Sequence, residues 1–185
     1  GAGSSSAAIL AIEYAAKMGA KIINASWGST QCSKILDDSI KKLVEKNVLF
    51  VVAAGNSRSN LSESPEYPAV IRSSNSITVG ASTRDFLRAG FSNWGELVHV
   101  VAPGKDILSI YPGGVYAVLD GTSMATPLVA GQAALLWGKY PGATAQQVKQ
   151  ALIDSVRVGT FAVQSKGETR GVSAYEALGR ALAAH

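Results

Sequence analysis

Cysteine and histidine are almost absent from this sequence of 185 residues. Cys32 is the only cysteine, and His99 and His185 are the only histidines. A single cysteine excludes an intrachain disulfide and a cysteine-rich zinc site. Two histidines are too few for a typical histidine metal cluster, and the carboxylates show no calcium-loop spacing. The residues themselves therefore predict no metal site and no cofactor.

Charge is also sparse, and long hydrophobic runs are missing. Charged residues make up 16% of the chain and hydrophobic residues 47%, which excludes an intrinsically disordered protein. The most apolar stretches, residues 47–54 and 128–137, are far shorter than the roughly 20 residues that cross a bilayer. The 17 basic side chains are scattered, so the formal charge of +4 indicates no nucleic-acid surface. We therefore expect neither a membrane nor a nucleic acid as a partner.

The length suits one domain with a substantial core, and no linker divides the chain. Residues 1–6 show no basic segment followed by an apolar run, so they predict no signal peptide. Hydrophobic periodicity predicts a helix over 6–18, a strand over 21–25, a helical stripe over 36–44 that ends near Asn47, and an apolar strand over 48–54. A strand, a helix and a strand in this order form a parallel crossover unit.

The second half of the chain continues this α/β pattern. It predicts strands over 76–81 and 97–102, a hairpin of 107–110 with 115–119, and an apolar helix over 124–139 that should be central and buried. Capping boxes predict two more helices, one from Thr144 with Gln147 and one from Ser173 with Glu176. We therefore predict an α/β fold, a three-layer sandwich in which helices flank a mostly parallel sheet.

The clearest functional signal is the segment 121–127, with the sequence GTSMATP, which leads into the apolar helix. A serine at a helix start is usually only a cap. Here Gly121 allows a close backbone approach, and the helix N-terminus favours negative charge near Ser123. Pro127 lies early in the helix, so we expect its missing N–H to cost little. Ser123 is therefore a candidate nucleophile.

Two further segments directly follow predicted strands. Ligands of an open α/β sheet bind beyond the carboxyl ends of its strands, where Asn56 should lie. An ordinary turn asparagine is the simpler alternative for Asn56. Ser26, Trp27 and Gly28 could form an extended edge that a peptide joins by main-chain hydrogen bonds. Their simpler alternative is a strand end whose aromatic residue packs on the core.

Together, residues 26–28, 53–56 and 121–127 resemble the subtilisin-like serine proteases in order and approximate spacing. Residues 67–69 (YPA) and 102–104 (APG) extend this resemblance along the chain. It implies a serine endopeptidase that acts on a protein or peptide substrate. By this resemblance Ser123 is the nucleophile, and the Asn56 side chain and the Ser123 backbone N–H form the oxyanion hole. The substrate-binding residues are then Ser26, Trp27 and Gly28, with Ala53, Ala54 and Gly55 lining the pocket.

Glu66 immediately precedes the segment 67–69, which in this family lines the base of the primary specificity pocket. An acidic side chain there would favour Lys or Arg before the scissile bond. The alternative is that Glu66 points to solvent. The resemblance also implies Ca²⁺ as a candidate ion and a secreted or extracytoplasmic location.

The general base of a serine nucleophile is missing from the pattern. The family's Asp-Ser/Thr-Gly and His-Gly-Thr-His motifs do not occur. His99 lies in an apolar strand and should be structural or at a rim, and His185 is the last residue. Asp120 cannot replace an aspartate that must orient a histidine. We therefore expect residues 1–185 to be the C-terminal portion of the catalytic domain, inactive alone.

Three interpretations remain open. The chain is a piece of an ordinary secreted endopeptidase, or a product of internal cleavage that works while paired with its upstream half, or a non-catalytic binding or assembly module. Removing the upstream half of a parallel sheet exposes apolar surface and a strand edge. We therefore expect the upstream half as a partner, and a homo-oligomer or marginal stability in its absence.

Overall fold

The computed structural model describes residues 3–155. The predicted capping box at Ser173 and His185 lie outside these residues. In chain order the elements are α1 (Ser5–Lys17), β1 (Ile22–Ala25), α2 (Lys34–Lys41), β2 (Leu49–Ala53), β3 (Ser76–Ser82), β4 (Val100–Pro103), β5 (Ile107–Tyr111), β6 (Val115–Leu119), α3 (Thr122–Lys139) and α4 (Ala145–Asp154).

The four strands β1, β2, β3 and β4 form one parallel sheet in that spatial order. Ile22 pairs with Leu49, and Val52 pairs with Thr78, so each crossover joins neighbouring strands. The strands β5 and β6 form a separate antiparallel hairpin. The predicted crossover unit and the predicted hairpin are both confirmed.

Alternate side chains of the buried strand β2 enter two different cores. Leu49 and Val51 pack with the α3 and α4 side, whereas Phe50 and Val52 pack with the α1 and α2 side. Each fully buried side chain of this size contributes about 1.5–3 kcal/mol through removal from water. Helices thus cover both faces of the sheet, and the predicted three-layer sandwich is confirmed.

Helix caps agree with local sequence chemistry. The Ser4 hydroxyl accepts a hydrogen bond from the Ala7 N–H, and the Ser33 hydroxyl accepts one from the Leu36 N–H. Thr144 and Gln147 form the reciprocal capping box that the sequence predicts for α4. No helix within residues 3–155 is long and apolar enough to span a bilayer.

Two element boundaries differ from the sequence predictions. The helix α2 ends at Lys41 rather than near Asn47, because the following turns use three-residue hydrogen bonds such as Val44 N–H to Lys41 O. Asn47 itself has a φ of 52° and closes this segment. The strand β4 begins at Val100 rather than Leu97, because a turn from Gly95 to Val98 precedes it.

The helix α3 is not buried all round, which corrects the prediction from its composition. Ala125, Val129 and Ala133 are fully buried against the sheet. Leu128 and Leu135 are 43% and 67% exposed. Within the described residues α3 packs on the sheet with one side only. Its apolar composition on every side therefore does not make it a central helix.

Candidate active site

The candidate site lies where β1 and β2 end and α3 begins. Ser26 directly follows β1, and Asn56 follows β2 by two residues of loop. Gly104, just after β4, accepts a hydrogen bond from the Gly121 N–H at 2.7 Å, which fixes the start of α3. The parallel sheet therefore brings Ser26, Asn56 and Ser123 together at the carboxyl ends of its strands, as the sequence predicts.

Ser26 and Ser123 are joined by two reciprocal hydrogen bonds. The Ser123 hydroxyl donates to the Ser26 carbonyl oxygen at 3.1 Å, and the Ser26 hydroxyl donates to the Ser123 carbonyl oxygen at 2.9 Å. The second bond explains why a proline is tolerated at position 127, inside α3. Inside a regular helix the residue at 127 would donate to the carbonyl of Ser123, and proline has no N–H. The Ser26 hydroxyl takes that place, so the cost of Pro127 is offset by a bond that links β1 to α3.

Thr122 determines how the amide of Asn56 is oriented. The Asn56 Oδ1 atom accepts hydrogen bonds from the Thr122 N–H and the Thr122 hydroxyl, both at 2.9 Å. The Thr122 hydroxyl oxygen in turn accepts the Gly55 N–H at 3.1 Å. With Oδ1 occupied by two donors, the Nδ2 group of Asn56 remains as the donor that faces away from Thr122.

The two predicted oxyanion donors lie on either side of one small space. A Cβ atom added to Gly121 would be 3.5 Å from Asn56 Nδ2 and 3.6 Å from the backbone nitrogen of Ser123. Gly121 has a φ of 156° and no side chain to fill that space. Both distances are longer than a hydrogen bond, so a substrate oxygen would have to approach the two nitrogens more closely than this point to accept from them as an oxyanion.

Sequence reasoning missed Thr122 as a member of this site. It is 1% exposed, and its hydroxyl is used fully within the Asn56 network. A polar residue next to a candidate nucleophile was the available signal. Its partners come from another strand, so the sequence alone does not show what the hydroxyl contacts.

Glu66 is half-buried and does not simply point to solvent. Its Oε1 atom accepts hydrogen bonds from the Ser57 hydroxyl at 2.6 Å and from Asn93 Nδ2 at 2.9 Å. Its Oε2 atom lies beside Gly28 and Gly55, where a side chain on Gly55 would overlap it. Within residues 3–155 no cationic side chain forms an ion pair with Glu66.

Asn93 is a second residue that sequence reasoning missed. It is 1% exposed, and its Nδ2 group donates to the Ala54 carbonyl at 2.9 Å as well as to Glu66. Its Oδ1 atom accepts the N–H groups of Ser57 and Ser59, both at 3.0 Å. Asn93 therefore fixes the loop after β2 and the Glu66 carboxylate together. No motif marks it in the sequence.

The remaining predicted residues surround this carboxylate. Ala53 and Ala54 end the buried strand β2, and Gly55 has a φ of 99°, which favours glycine. Trp27 is partly exposed and belongs to neither core cluster. Residues 26–28 extend from β1 to Ser29, whose N–H and carbonyl both bond to Tyr67 at 2.8 and 2.7 Å.

His99 lies at the opposite end of the sheet, where the strands begin, immediately before β4. Its Nδ1 atom accepts the Thr78 N–H at 3.0 Å, and burial lowers its pKa to about 4, with further lowering by Lys149 and Arg72. Asp120 accepts the Asp106 N–H at 2.7 Å, a local loop bond. Neither side chain bonds to Ser123, whose hydroxyl donates to the Ser26 carbonyl oxygen.

Metal ligands do not converge in the part of the chain that the structure describes. Among residues 3–155, no three His, Cys, Asp or Glu side chains form a group that could hold a metal ion. These residues therefore do not supply a carboxylate site for Ca²⁺, and no catalytic step is assigned to it. Ca²⁺ binding stays a prediction from the resemblance.

Comparison with known proteins identifies the family of this chain. The model of the subtilase family matches residues 1–176. The chain belongs to the subtilase family. Subtilisin Savinase of Lederbergia lenta is 41% identical over 152 residues, which are 82% of this chain and 55% of the relative. Thermitase of Thermoactinomyces vulgaris is 38% identical over 180 residues, 96% of this chain and 61% of the relative.

A solved subtilase structure has the same fold. The crystal structure of a cold-adapted subtilisin-like serine proteinase superposes with a TM-score of 0.86 at 33% identity. The match covers 94% of this chain and 63% of that one. The subtilisin-like fold is thus established for the chain, which spans little more than half the length of Savinase and thermitase.

Proposed function

We propose that this chain carries the nucleophile and the oxyanion hole of a subtilisin-like serine endopeptidase. The observation that carries the proposal is the pair of hydrogen bonds from Thr122 to Asn56 Oδ1, which leaves Asn56 Nδ2 as the free donor near Gly121 and the Ser123 backbone nitrogen. The Ser123 hydroxyl is at the N-terminus of α3, where a helix favours developing negative charge.

The reaction follows from these positions. Ser123 Oγ attacks the scissile carbonyl carbon, and its proton passes to a base and then to the leaving amine. The carbonyl oxygen becomes an oxyanion that accepts from Asn56 Nδ2 and the Ser123 N–H. The C–N bond breaks to give an acyl-enzyme ester on Ser123, and water then hydrolyses that ester. In the described chain Ser123 donates to Ser26 instead, so a base must come from elsewhere.

The upstream half of the same catalytic domain is the partner that we propose for this purpose. The chain spans 55% of Savinase, and the free edge of β1 has no strand partner within residues 3–155. A segment that pairs with this edge would lie beside Ser26, which directly follows β1. The alternative is a non-catalytic binding or assembly module. The hydrogen bonds that orient the Asn56 amide argue against this alternative, because a binding or assembly module does not need an oriented pair of oxyanion donors.

Glu66 supports a substrate with Lys or Arg before the scissile bond. Its carboxylate lies between Gly28 and Gly55, two residues that the family resemblance assigns to the pocket. Ser57 and Asn93 hold one of its oxygens by hydrogen bonds, but no cation neutralises it within the described residues. A basic side chain entering the pocket would supply the missing charge. We further propose a secreted or extracytoplasmic location, supported by family membership alone.

A fluorophosphonate probe tests the function at Ser123. We expect the 185-residue chain alone to label no more than its Ser123→Ala variant, because no base takes the hydroxyl proton. Adding the separately expressed upstream half should produce labelling at Ser123 that the Ser123→Ala complex lacks. Light scattering verifies that the two halves associate.

Two outcomes would contradict the proposal. An associated complex that does not label would favour the non-catalytic module. Stoichiometric labelling of the chain alone would mean that a residue within it activates Ser123, and would remove the need for an upstream partner.

A further inference from the structure

A cavity of about 270 Å³ lies at the end of the sheet where β3 and β4 begin, away from Ser123. It is enclosed by the loop that leads into β3, by the residues just before β4, and by Lys149 of α4. It includes none of the residues of the candidate active site. What distinguishes it is the chemistry of the side chains that line it.

Three of these side chains carry nitrogen donors. Arg72 is exposed, and its guanidinium forms no ion pair among residues 3–155. Lys149 Nζ donates to one group, the Ser73 carbonyl oxygen, at 3.3 Å. His99 Nδ1 accepts the Thr78 N–H, so the proton of the neutral ring is on Nε2, which has no acceptor in the described chain.

The cavity also has unneutralised positive charge. Lys149 is half-buried, desolvation lowers its pKa, and no carboxylate forms an ion pair with it among residues 3–155. Arg72 and Lys149 are both close enough to lower the pKa of His99. Glu96 is the single carboxylate along the cavity wall; it is exposed and pairs with neither cation in this part of the chain.

We propose that this cavity binds a small oxyanion of the size of phosphate or sulfate. Arg72 and Lys149 would provide charge-assisted hydrogen bonds, and His99 Nε2–H would provide a neutral one. The ion would connect the loop before β3 to α4 and neutralise two cations that line the same cavity. A bound anion would therefore stabilise the folded chain.

Histidine NMR gives a direct test, because the chain contains only His99 and His185. A His185→Gln variant assigns the two ring Hε1 resonances. Inorganic phosphate is titrated into the full chain at constant ionic strength, with sodium chloride as the compensating salt. We expect a saturable shift of the His99 resonance, and a His99 pKa that rises from about 4 because a nearby anion favours the imidazolium.

Matched lysine variants locate the effect. Lys149→Met keeps most of the apolar stem and should weaken phosphate binding by about tenfold or more, as expected for a lost charged hydrogen bond. Arg72→Gln should act in the same direction. Lys139→Met removes an equal charge from the exposed last turn of α3 and should leave the titration unchanged.

Thermal unfolding of the unsubstituted chain provides a second measurement that does not depend on any variant. At constant ionic strength we expect the melting temperature to rise saturably with dilute phosphate, whereas the general kosmotropic effect of phosphate does not saturate and needs much higher concentrations. The proposal is overturned if the His99 resonance follows ionic strength alone, if Lys149→Met titrates like the unsubstituted chain, or if the melting temperature shows no saturable rise with dilute phosphate.

Discussion

At the scale of single residues, Thr122 fixes the orientation of the Asn56 amide, so that its Nδ2 group is left as the donor. Its hydroxyl and its N–H both bond to Asn56 Oδ1 at 2.9 Å. A neutral amide held in advance stabilises an oxyanion without reorganising during the reaction. In the proposed reaction Thr122 is therefore a positioning residue, and Asn56 is the group that would touch the reacting oxygen.

Substitutions at these two positions should separate binding from catalysis. In the assembled domain we expect Asn56→Ala to lower kcat by about 10²–10³-fold with little change in KM, a magnitude measured for the same kind of loss in a subtilisin. Thr122→Val should lower kcat by up to about tenfold, because one hydroxyl hydrogen bond is lost. Steady-state kinetics on a peptide substrate measures both.

The conservative variant Thr122→Ser is the control, since it keeps the hydroxyl and should retain most of kcat. If Asn56→Ala changes KM only, Asn56 has been misassigned. If Thr122→Ser falls as far as Thr122→Val, the methyl packing and not the hydroxyl is what matters.

At the scale of elements, the segment that follows Glu66 pairs with the chain just after residues 26–28, which we propose bind substrate. Tyr67 forms two backbone hydrogen bonds with Ser29, which places Glu66 beside the end of the strand 26–28. Asn93 fixes the same carboxylate from the other side at 2.9 Å. The charge of Glu66 is thus held in place by two different segments.

This arrangement predicts the substrate preference. In the assembled domain we expect a preference for Lys or Arg before the scissile bond, and Glu66→Gly should shift that preference toward apolar side chains. Glu63→Gln is the matched control, because it removes an acidic charge from the exposed part of the same loop. Peptide-library profiling compares the three proteins. An unchanged profile in Glu66→Gly would mean that Glu66 does not select the substrate.

At the scale of the whole molecule, the described chain leaves apolar side chains uncovered. Ile110 and Tyr116 of the hairpin are 77% and 72% exposed, and Leu108 and Val118 are also exposed. The strand β1 pairs with β2 on one edge only within residues 3–155. Exposed strand edges and apolar patches of this kind favour association.

The 185-residue chain alone should therefore form a homodimer or a larger assembly, or else be marginally stable. Light scattering with thermal unfolding measures both, and adding the upstream half should convert the assembly to a one-to-one complex. Ile110→Lys places a charge on the hairpin and should weaken self-association, while Lys105→Gln in the preceding exposed loop should not. A stable monomer would contradict this expectation.

The sequence by itself determined the elements and the site segments. The apolar strand at 48–54 and the motif at 121–127 are local patterns, so the crossover unit and the position of Ser123 could be predicted without coordinates. It did not determine where α2 ends or where β4 begins, because those limits depend on turn hydrogen bonds that hydrophobic periodicity does not encode.

Only the tertiary structure decided which groups meet. The sheet brings Thr122 to Asn56, Ser26 to Ser123, and Asn93 to Glu66, and in each case the partners come from segments far apart in the chain. The environment of His99 was decided in the same way, by Lys149 from α4. The physical reason is that side-chain periodicity encodes which face of an element is buried, whereas contacts between distant polar groups depend on how the elements pack.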